Sequence, residues 1–559
     1  RKGRFTSARP LFERGQSIAL ERKARTREGQ IAWVEFGAGR ARLIRDLGRI
    51  DNARDVSEAL TLERLGRRGF PQKVEEAAEQ AAASPIEAAR QDLTGLPTFT
   101  VDPATARDFD DAVSARREGD GLRLWIHIAD VSAFVRPGSI LEKEAFLRAN
   151  STYVPTSVEP MLPHSLSSGV CSLSPGDERL AVTSEMLLSG SGEVTSASFY
   201  RSRIRSDARL DYDQLDQIFA GRESAPEIVA EQLDLARKAA AILAELRKGN
   251  ALEVNSAEPS FEFDDEGNVT RAVAERATEA HRLIEQLMVL TNEQVAGLTV
   301  NRGIPSVYRV HEMPDPDRVE RMLAQLASLE LPAPPVPSGM GPTTAGQLAV
   351  EASRSVAKEA ARRGHGATAY SSLVLRSLKP ARYLEKNLGH AGLGSEAYCH
   401  FTSPIRRFPD LLVHRALLSA VGGGEEAPST GDAAEAALHA SEREREAMIL
   451  ERDADDICAA FLLERELFQE GYEKRFEGEV SGVIRSGAFV RFNGRLGDVY
   501  EGFVPARRIR GERFELNEEE TSLVGSKTGR KVSLGDAIAV QVEKVDAPRG
   551  RVDLDPADG

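Results

Sequence analysis

Cysteine is scarce in this sequence. Among its 559 residues there are three, Cys171, Cys399 and Cys458, far apart and in no CxxC or Cys/His cluster. That excludes a disulfide framework and a structural zinc site, and it points to a reducing compartment, the cytoplasm. Long apolar runs are missing as well. None reaches the roughly 18 residues of a membrane helix, so no membrane partner is expected. The start, RKGRFTSARP, has basic residues with no apolar segment after them, so no secretory signal is expected. Positive charge is not in excess either: 73 Lys and Arg stand against 87 Asp and Glu, a net charge of −14. Taken whole, that balance speaks against a nucleic-acid binder, but binding follows local patches. Basic clusters at 201–209 (RSRIRSDAR), 376–386 (RSLKPARYLEK) and 405–407 (IRR) keep the possibility open if acidic residues are kept away from the path.

What is present reads as a globular protein, 41% hydrophobic and 29% charged. The length predicts roughly two to four domains, and the patterning predicts a mixed α/β (α+β) multidomain fold. Residues 1–90 form a small unit: GQIAWVEF and RARLIRDLG read as strands around the turn GAG, followed by helices starting at Asn52 and Pro71. A strand ribbon beside helices suits a winged-helix-like module, or equally a plain packing subdomain. A larger mixed domain runs over 91–422. It opens with the strand LPTFTV, and a hairpin turns near Gly119-Asp120-Gly121. The breaker-rich GGGEEAPSTGD leads into a helical connector, 423–472, rich in i,i+4 charge pairs. Short strands over 473–556 suit a small barrel of the OB type.

Asp102, Asp108, Asp110 and Asp111 fall within one loop, DPATARDFDDAV, between two predicted strands. Two carboxylates at ~4 Å repel by roughly 4 kcal/mol at an effective dielectric of 20. Four that converge need either a cation or protons. Hard divalent ions such as Mg²⁺ prefer oxygen ligands. An EF-hand is excluded, because its sixth and twelfth positions would be Arg107 and Val113. The plain alternative is a solvated acidic turn.

Other stretches carry candidates with equally plain alternatives. In YCHFTSPIRRFPDLLVHR, Pro404 and Pro409 predict a single turn around Arg406 and Arg407 before a helix. Guanidinium groups on such a turn suit phosphate recognition, or a surface salt bridge. Tyr153, in the proline-stiffened NSTYVPTSVEPMLP, can stack on a base or pack in a core. Glu285 and Asn292 lie on the edge of an amphipathic helix, where they can touch ribose hydroxyls or serve as boundary polar residues.

Together these motifs resemble the ribonuclease II/ribonuclease R family of RNB-domain exoribonucleases. DPATARDFDDA with LRLWIHIADVSAFV, then STYVP, MLP, CSLSPGDERLAVT, HRLIEQLMVLTNEQVA, YRVHEMPDPDRV and YCHFTSPIRRFPDLLVHR occur in the family's order over roughly 90–422. GEVSGVIRSGAFVRF and EGFVP resemble an S1-type RNA-binding domain. The resemblance implies a monomer that hydrolyses single-stranded RNA processively from the 3′ end to nucleoside 5′-monophosphates, by a two-metal mechanism. It implies that Asp102, Asp108, Asp110 and Asp111 hold Mg²⁺, with Asp108 and Asp110 catalytic, and that Arg406 meets the scissile phosphate. Tyr153 would hold the terminal nucleotide and Glu285 a ribose. Phe261 would be a second stacking residue, with Phe263 its rival, and Arg407 an RNA contact. The family's usual pair of N-terminal cold-shock-type domains does not fit into ninety residues, so the short module is expected to replace them in part.

Overall fold

The computed structural model describes residues 6–21, 25–37, 39–249, 251–252, 257–509 and 511–557. The basic start at 1–5 and Ala38 of the GAG turn lie outside them. Near the N-terminus, strands β1 (Gln30–Phe36) and β2 (Ala41–Arg49) pair as an antiparallel ribbon. Helices α1 (Ala53–Leu65) and α2 (Gln72–Ala83) follow. Asn52 caps α1, its side chain accepting the Asp55 N–H at 3.1 Å. The two helices do not share a core of their own: Val56 and Leu60 of α1 join one hydrophobic cluster, and Val74 and Ala78 of α2 join another.

The large domain is built on a seven-stranded sheet. Its strands are β3 (Gln91–Asp92), β4 (Phe99–Asp102), β5 (Asp111–Glu118), β6 (Gly121–Ala129), β7 (Glu178–Leu188), β8 (Val194–Arg205) and β9 (Ala208–Asp211). The order is β9-β4-β5-β6-β7-β8-β3, with parallel pairs only at the two edges. The hairpin β5–β6 turns tightly at Gly119-Asp120, and Gly119 has φ 57°. Gly121 has no space for a side chain, since a Cβ there would meet the Leu188 carbonyl oxygen at 2.1 Å. β4, β6 and the first half of β5 (Ala112–Ala115) are mostly apolar and buried, as central strands covered on both faces are, while β5 runs out to the exposed Arg116 and Arg117.

Helices α3 (Glu279–Asn301), α4 (Pro316–Ser328), α5 (Ala367–Ser377) and α6 (Phe408–Ala420) follow. Pro409 sits in the first turn of α6, where its missing N–H costs no helical bond. Then comes one 41-residue helix, α7 (Thr430–Glu470). Its apolar residues enter all three hydrophobic clusters: Ala433 to Ala440 the sheet core, Leu450 to Ile457 the cluster with α1, and Leu462 to Leu467 the core of the C-terminal domain. That domain is a closed five-stranded barrel of β10 (Arg475–Ile484), β11 (Gly487–Phe492), β12 (Tyr500–Pro505), β13 (Ala537–Asp546) and β14 (Arg551–Pro556). A three-stranded sheet is inserted between β12 and β13; the sequence pattern alone did not separate it from the barrel. Among the described residues no helix is long and apolar enough to cross a membrane.

Candidate active site

Asp102 ends β4 and Asp111 begins β5, so the loop between them hangs from the edge of the buried sheet. It is braced from beneath. The buried Ser172 hydroxyl accepts the Phe109 N–H at 3.0 Å and donates to the Arg107 carbonyl at 2.9 Å. Arg209 donates to the Pro103 and Ala104 carbonyls and lies over the Phe109 ring. Phe109 is buried, which anchors the loop between Asp108 and Asp110.

Asp110 is 3% exposed. Its Oδ1 accepts the Ile405 N–H at 2.9 Å, and its Oδ2 lies 3.3 Å from Arg406 Nε. Asp102, Asp108 and Asp111 are half-buried around it. Asp110 Oδ2 and Asp102 Oδ2 are buried oxygens without a hydrogen bond. Burial, and then the charges of Asp111 and Asp110, push the Asp102 carboxyl up to about 8. Burial pushes Asp110 up to about 8 against the pull of Arg406, and Asp111 to about 6. Among the described residues no three acidic, histidine or cysteine side chains are drawn in tightly enough to hold a metal ion. The donor set nevertheless fits a hard divalent cation. All four groups are carboxylates, two of their oxygens are buried without a hydrogen bond among the described residues, and mutual repulsion keeps such groups apart when no cation lies between them.

Two segments converge on this loop. Residues 149–151 pair with 406–408: Ser151 N–H donates to Arg406 O at 2.9 Å and Phe408 N–H to Ala149 O at 2.8 Å. That pairing brings Arg406 and Tyr153 to the acids together. Tyr153 is 39% exposed; its hydroxyl donates to Asp108 Oδ2 at 3.4 Å and its N–H to Glu451 of α7 at 2.8 Å. The Arg406 side chain is 47% exposed, and residues 404–406 form the expected single turn. A cavity of about 220 Å³ beside them is lined by Tyr153, Tyr383, Arg406, Arg407, Glu444 and Glu451, among others.

The other candidates fall elsewhere. Arg407 makes a two-pronged pair with the buried Asp410, at 2.9 and 2.7 Å, and Asp410 also accepts the Ser403 N–H. Arg407 thus holds the turn that carries Arg406, and it also lines the cavity beside Tyr153. Glu285 is exposed on α3 and makes no hydrogen bond or ion pair among the described residues. Asn292 is buried, donating to the Tyr398 hydroxyl at 3.1 Å and accepting the Phe401 N–H at 2.9 Å, so it braces the 398–401 segment instead of facing a ligand. Phe261 and Phe263 lie two apart on one β-hairpin, both half-buried against the C-terminal core, and nothing in their packing separates them.

Tyr212 went unread in the sequence. It follows Asp211, which lies in register with Asp102 in the parallel pair β9–β4. Its ring stacks on His281 at 3.9 Å, and burial, with the charges of Asp111 and Asp102, raises its phenol. The signal was long-range, since only the pairing of residues about a hundred apart brings Tyr212 to the acids.

Comparison with known proteins matches residues 90–423 to the RNB domain and residues 471–555 to the S1 RNA binding domain. Ribonuclease R 1 of Lactococcus lactis subsp. lactis is 34% identical over 508 residues, covering 87% of this chain and 59% of that protein. Ribonuclease R of Thermotoga maritima is 32% identical over 550 residues, covering 92% of this chain and 72% of that protein. The chain thus spans about three fifths of the length of the first of these relatives. Mycoplasma genitalium RNase R, solved in complex with ribose methylated single-stranded RNA, superposes with a TM-score of 0.82 at 26% identity, covering 92% of this chain and 80% of that one.

Proposed function

This chain belongs to the RNB-domain family, and we propose that it hydrolyses single-stranded RNA processively from the 3′ end, releasing nucleoside 5′-monophosphates. The observation that carries this reading is the pair of buried carboxylate oxygens on Asp102 and Asp110 that make no hydrogen bond among the described residues, set beside Arg406 and Tyr153.

In this reading Asp102, Asp108, Asp110 and Asp111 hold Mg²⁺, which when bound supplies an activated water and charge stabilisation for the leaving 3′-oxygen. The side chains do the positioning. Arg406, half in solvent and half against Asp110, donates to the non-bridging oxygens of the scissile phosphate as negative charge builds there. Arg407 and Asp410 keep its turn rigid. Tyr153 offers its ring to the terminal base while its backbone stays pinned to Glu451. Tyr212 borders the acids from the β9 side. Glu285 and the Phe261/Phe263 pair remain proposed ribose and base contacts farther along the strand.

The proposed division is 1–90, 91–422, 423–472 and 473–556. A monomer in the cytoplasm suits three free, buried cysteines. One digest tests the reading. With 5′-labelled single-stranded RNA, a ladder shortening from the 3′ end in Mg²⁺ and absent in EDTA is expected, with nucleoside 5′-monophosphates released. RNA binding without cleavage, or release of inorganic phosphate, would overturn it.

A further inference from the structure

A cleft of about 440 Å³ opens where α4, α5, the β10–β11 turn and the inserted three-stranded sheet meet, and none of the candidate site residues lines it. Its walls carry Arg318, Arg321, Arg376 and Arg485 against a single acid, Glu520. That acid is taken: Arg321 pairs with it at 2.8 Å. Glu520 adopts φ 59°, a left-handed conformation that is unfavourable for a residue with a side chain and persists only where its surroundings enforce it. They do so here. Asn517 Oδ1 accepts the Thr521 and Ser522 N–H groups, Gln325 of α4 donates to the Glu519 carbonyl at 2.8 Å, and the Ser328 and Thr521 hydroxyls meet at 2.8 Å. The inserted sheet is thereby fastened to the large domain, and the cleft is preformed.

The remaining arginines have no such partner. Arg376 and Arg485 are exposed, and among the described residues no carboxylate lies within 4.0 Å of Arg318, Arg376 or Arg485. Among the described residues Arg318 reaches only the Leu378 carbonyl, at 3.5 Å. In a chain of net charge −14, where ion pairs are plentiful, a group of cations without counter-charges at the rim of one cleft calls for an anion from outside. Guanidinium groups present paired donors that match the oxygens of a phosphate. Beneath them the cleft has an apolar floor that includes Leu373 and Val483. Its volume lies within the roughly 300–1,000 Å³ of sites that take small ligands. A cationic rim above an apolar floor suits an amphipathic ligand with a phosphate at one end and a planar or sugar body at the other.

We propose that this cleft is a second nucleotide-binding site, seating a phosphate against Arg376 and Arg485 and its nucleoside on the apolar floor. That phosphate belongs either to an RNA strand outside the acidic site or to a free nucleotide; the recognising chemistry is the same. The proposal does not depend on hydrolysis at the aspartates.

The test uses the full chain in EDTA, so that no RNA is cut. Binding of a long single-stranded oligonucleotide and of fluorescently labelled adenosine diphosphate is measured for wild type, R376Q/R485Q and R376E/R485E, with thermal melts to confirm folding. Charge reversal is expected to weaken one of the two ligands by about tenfold or more. In the neutral variant, the salt slope of RNA binding should shrink by about 0.7 for each phosphate that is no longer neutralised. Weakening of the oligonucleotide alone assigns the cleft to the RNA strand, and weakening of the diphosphate alone assigns it to a free nucleotide. Affinities for both ligands unchanged in the neutral variant, which keeps the test valid even if the reversed one misfolds, would overturn the proposal. Cleavage of a tetranucleotide in Mg²⁺, read separately, should be equal in all three proteins. Its absence in wild type would count against the proposed hydrolysis and leave the cleft untouched.

Discussion

Buried carboxylates occur in two kinds of place in this molecule, and they are treated in opposite ways. Asp130, just past β6, is fully buried, yet Arg201 and Arg90 pair with it and Ser132 donates to it. Burial pushes its pKa up, and the two arginines outweigh that, so it ends below the usual carboxylate range. Glu466, near the end of α7, is likewise buried and accepts from Lys474, the Arg495 and Leu496 N–H groups and the Tyr500 hydroxyl, which again leaves it lowered against the effect of burial. The aspartate loop has one arginine paired with Asp110 beside four acids, and among the described residues two of its buried oxygens make no hydrogen bond. Asp102 and Asp110 accordingly rise to about 8. The fold neutralises a buried acid where the acid is structural. Where it leaves the charge open, the compensation has to come from outside the chain.

The sharpest way to break this contrast is Asp110→Asn. Cleavage of single-stranded RNA in single-turnover assays should fall at least about a thousandfold, with RNA affinity in EDTA unchanged. Normal cleavage would remove the loop from the chemistry. Next in size is Arg201→Met, which leaves the buried Glu425 without its partner and Asp130 with Arg90 alone. Denaturant unfolding should show a loss of about 3 kcal/mol or more, and added Mg²⁺ should not restore it.

Proton binding separates the two kinds of site as well. Asp102 and Asp110 have folded pKa values near 8, above the unfolded 3.8, so the native state holds more protons than the unfolded one between those values. Metal-free stability should therefore fall as pH rises from about 4 towards 8 and flatten above that. Melts in EDTA across that range should show the decline. Mg²⁺ should reverse it and release protons near pH 7, seen as a buffer-dependent heat in calorimetry. A melting point that rises with pH in EDTA over that window would contradict the assignment. The smallest effect is expected for Glu466→Gln, about 1–3 kcal/mol, with easier proteolysis near Gly471 and no change in metal response.

Much of this was legible beforehand because the signals were local. The β5–β6 hairpin announces itself through Gly119 and Gly121, and the turn before α6 through Pro404 and Pro409. The four acids stand within ten residues, so their convergence needed only one loop. What depended on tertiary pairing was hidden. Tyr212 reaches the acids only because β9 runs parallel to β4. Arg407 looked as available as Arg406 until Asp410, three residues on, claimed it. Glu451 stands in a connector whose sequence shows only charge pairs at helical spacing, yet it pins the backbone of Tyr153. Asn292 shared a helix edge with Glu285, but burial separates their roles, and helical spacing cannot report that.

The long helix α7 has a consequence of its own. One unbroken rod, roughly 60 Å from end to end, bears the residue that holds Tyr153 at its middle and the carboxylate that clasps the barrel at its far end. A residue inserted between Glu451 and Glu466 would swing everything beyond it through about 100°, aiming the barrel away from its seat. Seven inserted residues would bring it back nearly into phase. The helix is a drive shaft whose length is set in whole turns, so drift in its length is tolerable only in steps that preserve the angle between its two ends.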